Sequence, residues 1–95
     1  MATFQVAHLR EQGQDIIIVV VDRSFGLKTQ AEQNEVCAAL QSCASAAGLA
    51  GTVVPVWDSG GGRMAFLAPP PWTPFFRSMT LAAVAANINR ELTCG

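Results

Sequence analysis

Six consecutive β-branched residues constrain the fold of this chain more than any other feature. The run is Ile16, Ile17, Ile18, Val19, Val20 and Val21, bounded by Asp15 and Asp22. Branched Cβ atoms restrict side-chain rotamers in a helix and pack well in a sheet, so the run predicts a strand. Because neighbouring side chains of a strand point to opposite faces, an unbroken apolar run is typical of a central strand covered on both faces.

Three further strands are predicted around this run. Residues 3–9 form the first, joined to the run by a polar hairpin at Gly13. Residues 52–57 form the third, and residues 63–68 the fourth, with a glycine-rich loop at 58–62 between them. Pro55 lies inside the third strand. Proline has no N–H to donate to a ladder, so this strand is predicted at an edge of the sheet.

Two helices complete the predicted elements. Thr29 and Glu32 have the spacing of a capping box at the start of the first helix, and Gly48 suits the left-handed conformation that ends it. Thr73 before Pro74 predicts the start of the second helix. Its apolar face recurs at helical spacing and comprises Leu81, Val84, Ala85, Ile88 and Leu92.

The order of elements predicts a single α+β domain over residues 1–95. It is a four-stranded antiparallel sheet of order 1-2-4-3 with both helices on one face, which is a permuted ferredoxin-like topology. The opposite face would then be open, although alternate residues of the 16–21 run point to it. Burying each such side chain stabilises by roughly 1.5–3 kcal/mol. The sequence therefore predicts a twofold homodimer through this face.

Composition and charge narrow the classes of partner. Hydrophobic residues make up 51% of the chain and charged residues 14%, so some apolar surface is expected to meet a partner. The formal net charge is −1, and the six basic residues are scattered, which argues against nucleic-acid binding. No apolar run approaches the ~20 residues that span a membrane, and no signal peptide is visible at the N-terminus.

The cysteines predict a reduced, cytoplasmic protein. Cys37 and Cys43 lie six residues apart on the first predicted helix, which separates their Cα atoms by roughly 9 Å. A disulfide needs less than about 7 Å, so these two cannot pair. Cys94 is next to the C-terminus and is expected to fray. Burial of Cys43 as a small hydrophobe is expected, and one histidine with three separated cysteines predicts no metal site and no cofactor.

The segment 22–29 is the one stretch that has the location of an anion-binding loop. It follows a buried strand and opens a helix, but it contains only Gly26 and a displaced Lys28 of the phosphate-loop pattern. We interpret it as a turn between strand and helix. Binding of an anion or small ligand at the helix N-terminus is the alternative.

An aromatic set gives the more informative functional pattern. Its members are Trp57, Trp72, Phe75 and Phe76, three of them in a stiff proline-rich segment, and Arg63 and Arg77 are the nearest candidates for a polar rim. These rings either seal the core where the second helix turns back or line a pocket or docking surface for a partner.

Two functions of different classes follow. The favoured one is a small non-catalytic homodimeric module that engages a small molecule or a protein through the aromatic surface. The alternative is a small dimeric enzyme with a cleft site formed by His8, Asp22, Asp58 and Arg63. His8 is the single histidine, and its other interpretation is a hydrogen-bonded, partly exposed residue near a strand end.

Overall fold

Residues 16–20 of the apolar run belong to the middle strand of a five-stranded mixed sheet of order β4-β3-β2-β1-β5. The structure is a computed structural model that describes residues 2–94. Its strands are β1 (Ala2–Glu11), β2 (Gln14–Val20), β3 (Thr52–Asp58), β4 (Met64–Phe66) and β5 (Arg90–Cys94). Its helices are α1 (Gln30–Ala46), α2 (Thr73–Arg77) and α3 (Leu81–Ala86), with short 3₁₀ helices at Arg23–Leu27 and Pro70–Trp72.

The α+β class is confirmed, but the predicted sheet is wrong in order and direction. β2 lies beside β3 and runs parallel to it, whereas the other neighbouring strands are antiparallel. A fifth strand, β5, lies beyond β1. The parallel pair arises because α1 carries the chain back across the sheet, as a helix between two strands commonly does. The permuted ferredoxin-like topology is therefore not the one observed.

The first helix forms as predicted. The Thr29 hydroxyl accepts a hydrogen bond from the backbone N–H of Glu32 at 3.2 Å, and the Glu32 carboxylate accepts one from the Thr29 N–H at 2.9 Å. This capping box satisfies two amides that the helix itself cannot pair. Gly48 follows the helix with a φ of +82°.

Pro55 lies in an internal strand, contrary to the edge position predicted for it. Val56 O accepts from the Val21 N–H, so the neighbouring residue Pro55 turns its backbone away from β2. Its carbonyl accepts from the Leu67 N–H instead, just past the end of β4. The side of Pro55 that lacks an N–H therefore faces Leu67, where the pairing of β3 with β4 ends. No hydrogen bond between β2 and β3 is lost.

The second predicted helix is wrong over most of its length. Thr73 is the first residue of α2 rather than its cap, and α2 ends after one short turn at Arg77. Thr80 then caps α3, whose Ala83 N–H donates to the Thr80 hydroxyl at 3.1 Å. Leu92, predicted on the helix, is 1% exposed in β5 opposite Phe4.

The helices cover both faces of the sheet rather than one. Ile17 and Val19 pack with Leu40 of α1 in a first core. Ile16 and Ile18 pack with the α2–α3 segment in a second core, which forms because the chain crosses that face between β4 and β5. All four of these β2 side chains are 0% exposed within one chain.

The surface predicted for a dimer is therefore inside the monomer. Val20 packs against the second core and Val21 against the first, so the whole of residues 16–21 contributes to this chain's own packing. A homodimer stays a prediction, but the premise of an open sheet face is wrong.

A disulfide joins α1 to the last strand. Cys43 and Cys94 are bonded, with their Cα atoms 5.9 Å apart, and Cys37 is the free cysteine of residues 2–94. Cys94 is held in β5 rather than frayed, so the expectation of three reduced thiols is wrong. Disulfides persist mainly in oxidising compartments, and the argument for a cytoplasmic location is removed. Within residues 2–94, the helices are all too short or too polar to cross a membrane.

Candidate functional site

The predicted aromatic and arginine residues fall into three places instead of one surface. Trp57 packs on Phe25 of the first 3₁₀ helix, with ring centroids 4.8 Å apart, on the α1 side of β3. Trp72 and Phe75 line a depression beside the β1–β2 hairpin. The remaining three predicted residues, Phe76, Arg63 and Arg77, come together at β4.

Three successive ring contacts connect the second and third of these places. Trp72 meets Phe75 edge to face at 5.7 Å, Phe75 meets Phe76 at 5.1 Å, and Phe76 lies 5.4 Å from Phe66 of β4. Phe76 is 1% exposed, and these rings pack against the second core. Phe75, Phe76 and the half-buried Trp72 therefore close the second face, which is the core-sealing alternative.

A groove beside β4 is the candidate site, and we refer to it as the β4 groove. It has a volume of about 380 Å³. Its apolar wall and polar rim comprise Arg63, Met64, Phe66, Phe76, Arg77 and Met79. The loop before β4 supplies Arg63, the end of α2 supplies Arg77, and the segment between α2 and α3 supplies Met79.

The rim of the β4 groove is positively charged. Arg63 and Arg77 are exposed, and neither forms an ion pair within residues 2–94, where the one ion pair joins Arg10 and Asp15 at 3.5 Å. The nearest acid along the hairpin, Asp58, accepts a hydrogen bond from the Gly60 N–H at 2.8 Å. Both guanidinium groups are thus free to bind carboxylate or phosphate oxygens, for which their planar donors are well suited.

A second depression lies where the parallel strands β2 and β3 end, and we refer to it as the Trp57 depression. It measures about 510 Å³ and is lined by Arg23, Leu27, Trp57, Asp58 and Ala65 among others. Leu27 is 89% exposed, the one large hydrophobic side chain so exposed in residues 2–94.

The residues of the alternative enzyme site are brought together only in part. Asp22 follows β2 and Asp58 is the last residue of β3, so both lie at the carboxyl ends of these parallel strands. Asp22 accepts from the Ser24 hydroxyl at 3.0 Å. His8 lies towards the opposite, amino ends of β2 and β3. It pairs with Ile17 of β2, and its Nε2 donates to the carbonyl of Ala50, which precedes β3, at 2.9 Å. A histidine and two aspartates therefore do not share one cleft.

The N-terminus of α1 is partly occupied by its own capping box. The box pairs the Thr29 and Glu32 amides, and the hydrogen bonds from the Thr29 backbone and hydroxyl lower the pKa of Glu32, with a smaller contribution from the charge of Lys28. The Glu32 carboxylate therefore already places a negative charge at the positive end of the helix.

Cys37 has the properties of a packed thiol. It lines a depression of about 380 Å³ between α1 and residues 67–69, together with Gln41 and Leu67. Burial raises its pKa, which lowers the fraction of the nucleophilic thiolate. Among residues 2–94, no three histidine, cysteine, aspartate or glutamate side chains are close enough to share a metal ion.

Comparison with known proteins adds no further constraint. No protein-family model, curated protein or solved structure matches this chain.

Sequence reasoning missed three of the apolar residues that line the β4 groove. Met64 and Phe66 alternate along the predicted fourth strand, so their shared face was visible as a pattern of period two. Met79 had no such signal, because it lies in the connection that interrupts the predicted second helix.

Proposed function

We propose that this protein is a non-catalytic binding module whose β4 groove takes an apolar partner that carries negative charge. One observation supports it above the others: two arginines without an ion-pair partner in residues 2–94 flank an apolar wall. The apolar part of the partner removes Met64, Phe66 and Met79 from water. Its anionic group replaces the water around the guanidinium groups.

The magnitudes favour modest affinity for a small ligand and higher affinity for a larger one. Each exposed ion pair contributes about 0.5 kcal/mol, and apolar burial about 25 cal/mol per Å². A ligand of about ten heavy atoms is therefore expected to bind with a Kd of about 1 mM. An enzyme that uses His8, Asp22 and Asp58 together is less well supported, since His8 lies towards the amino ends of β2 and β3 and the two aspartates lie at their carboxyl ends.

Titration of the isotope-labelled protein with octanoate tests this proposal by NMR. The amide signals of Met64, Phe66 and Phe76 are expected to shift in a saturable manner. Octanamide has the same chain without the charge and is expected to bind several-fold more weakly. Equal shifts with both compounds would show that the arginines contribute nothing.

The arginine contribution is isolated by the double variant Arg63→Gln/Arg77→Gln. Loss of two exposed ion pairs is expected to weaken octanoate binding about fivefold. The matched control is Arg90→Gln, which removes an exposed arginine from β5 at the other edge of the sheet and is expected to leave the Kd unchanged. If octanoate does not bind the wild-type protein, the proposed function is wrong.

A further inference from the structure

The free edge of β4 carries backbone groups that point away from the sheet. The Ser59 N–H donates to Arg63 O at 2.8 Å, and the Leu67 N–H donates to Pro55 O at 3.1 Å, so Arg63 and Leu67 face β3. Backbone direction alternates along a strand, and the N–H and C=O groups of Met64 and Phe66 therefore face outward. β4 is the last strand on its side of the sheet, and no other strand of residues 2–94 pairs with this edge.

Depressions lie along β4 on both faces of the sheet. The β4 groove includes Met64 and Phe66. The Trp57 depression includes Ala65, and the depression at Cys37 includes Leu67. Side chains of a strand placed beside β4 alternate between the same two faces, so each would meet one of these depressions. Strand addition in known proteins works in this way, with backbone bonds giving affinity and pockets for alternate side chains giving specificity.

Charge at this edge selects the kind of strand that fits. Arg63 and Arg77 line the β4 groove and Arg23 lines the Trp57 depression, whereas Asp58 is the one acidic residue among the residues that line these two depressions. At the opposite edge, β5 carries one residue of each sign, Arg90 and Glu91. The edge at β4 is thus positive and apolar, which complements a segment with acidic and apolar side chains.

We infer that an extended acidic segment of a partner protein adds to the sheet as a sixth strand at β4. The inference rests on the proposed function and specifies how the partner binds. A second copy of this chain is the less favoured occupant, because pairing two β4 edges would bring the arginines of both copies to one junction.

The first test uses an acetylated, amidated peptide of seven residues that alternates glutamate and valine, with a fluorescent label for anisotropy. Two further peptides carry N-methyl groups, one on every valine and the other on every glutamate. Only one of the two sets has N–H groups that face β4. One methylated peptide is therefore expected to bind about tenfold more weakly, while the other stays within about twofold of the parent. A lysine-for-glutamate peptide is expected not to bind.

The second test changes the free edge of the protein. Met64→Pro removes an outward N–H without removing a β3–β4 hydrogen bond, whereas Met64→Ala removes the same side chain and keeps the N–H. Relative to Met64→Ala, Met64→Pro is expected to bind the peptide about tenfold more weakly. Circular dichroism of both variants checks that each is folded.

The outcomes separate the inference from the proposed function. Octanoate binding without peptide binding, or equal effects of the two methylated peptides, would overturn strand addition and leave the groove as a ligand site. Failure of octanoate to bind would overturn the proposed function, whether or not the peptide binds. A dimer in native mass spectrometry that Met64→Pro abolishes would show that a second copy occupies the edge, and would overturn the acidic partner.

Discussion

At the scale of single residues, the contact between Gly26 and Trp57 shows why a glycine stands in the loop before α1. A Cβ atom at Gly26 would lie 2.6 Å from Nε1 of Trp57. The indole cannot easily move away, because it is 8% exposed and packs on Phe25. The sequence predicts Gly26 within a turn, and the structure has it in a short 3₁₀ helix. Its contact partner Trp57 is remote in the chain, so no local pattern predicts the contact.

Gly26→Ala is expected to lower the free energy of unfolding by about 1–3 kcal/mol, because the added methyl group forces the indole from its site. Urea denaturation measures the change. In a Trp57→Phe background the obstructing indole nitrogen is gone, and the same glycine substitution is expected to have little effect. An equal loss in both backgrounds would show that the indole is not the cause.

At the scale of secondary-structure elements, α1 is determined by interactions between residues close in sequence. The two partners of its capping box are three positions apart, and both hydrogen bonds form as the sequence predicts. The second predicted helix fails for the opposite reason. Leu92 has helical spacing from Val84 and Ile88, yet its pairing with Phe4 near the other end of the chain makes it part of a strand. Apolar periodicity over so few helical turns does not distinguish a helix that includes Leu92 from a strand that includes it.

Glu32→Gln is expected to destabilise the protein at neutral pH and progressively less in acid. The Thr29 hydrogen bonds lower the pKa of Glu32 in the folded state, so the stabilisation is present above the ordinary glutamate pKa and is lost as the pH falls through the lowered value. Urea denaturation of both proteins between pH 7 and about pH 3 measures the difference.

The control for this pH dependence is Glu35→Gln, which removes the same charge from α1 outside the capping box. Its effect is expected to be smaller than that of Glu32→Gln at neutral pH. A difference between wild type and Glu32→Gln that is constant over the whole range would contradict the assignment of the capping box as its source.

At the scale of the whole molecule, the disulfide between Cys43 and Cys94 ties the last strand to α1. The two cysteines are 51 positions apart, and the bond closes a long loop, which lowers the conformational entropy of the unfolded chain. Leu92 anchors the same strand in the first core. The edge at β5 is thus secured by packing and by a covalent bond, while the edge at β4 is short and open.

Reduction of this disulfide is expected to lower the free energy of unfolding by about 4 kcal/mol, the loop-entropy value for this separation. Urea denaturation with and without dithiothreitol measures the shift. Cys37→Ser is expected to retain the full response to reductant, whereas Cys94→Ser is expected to show none. Alkylation of the unfolded, unreduced protein gives a check by mass, since modification of all three cysteines would contradict the disulfide.

The candidate site was predictable only in its parts. The sequence predicted Arg63, Arg77 and Phe76 on one surface, and these three line the β4 groove. The prediction that Trp57 belongs to the same surface was wrong. The sequence does not indicate on which face of the sheet the side chains of β3 and of the α2–α3 segment lie. Met79 entered the groove only through the break between α2 and α3.

Local sequence patterns were sufficient to predict the α+β class, a strand within the 16–21 run, both hairpins and the start and end of α1. These depend on residue shape, glycine and hydrogen bonds that reach three or four positions along the chain. Four features could be seen only in the tertiary structure. They are the strand order, the burial of Pro55, the covering of the second sheet face and the pairing of Cys43 with Cys94. Each of these features depends on contacts between segments that are remote in sequence, and local sequence patterns do not predict such contacts.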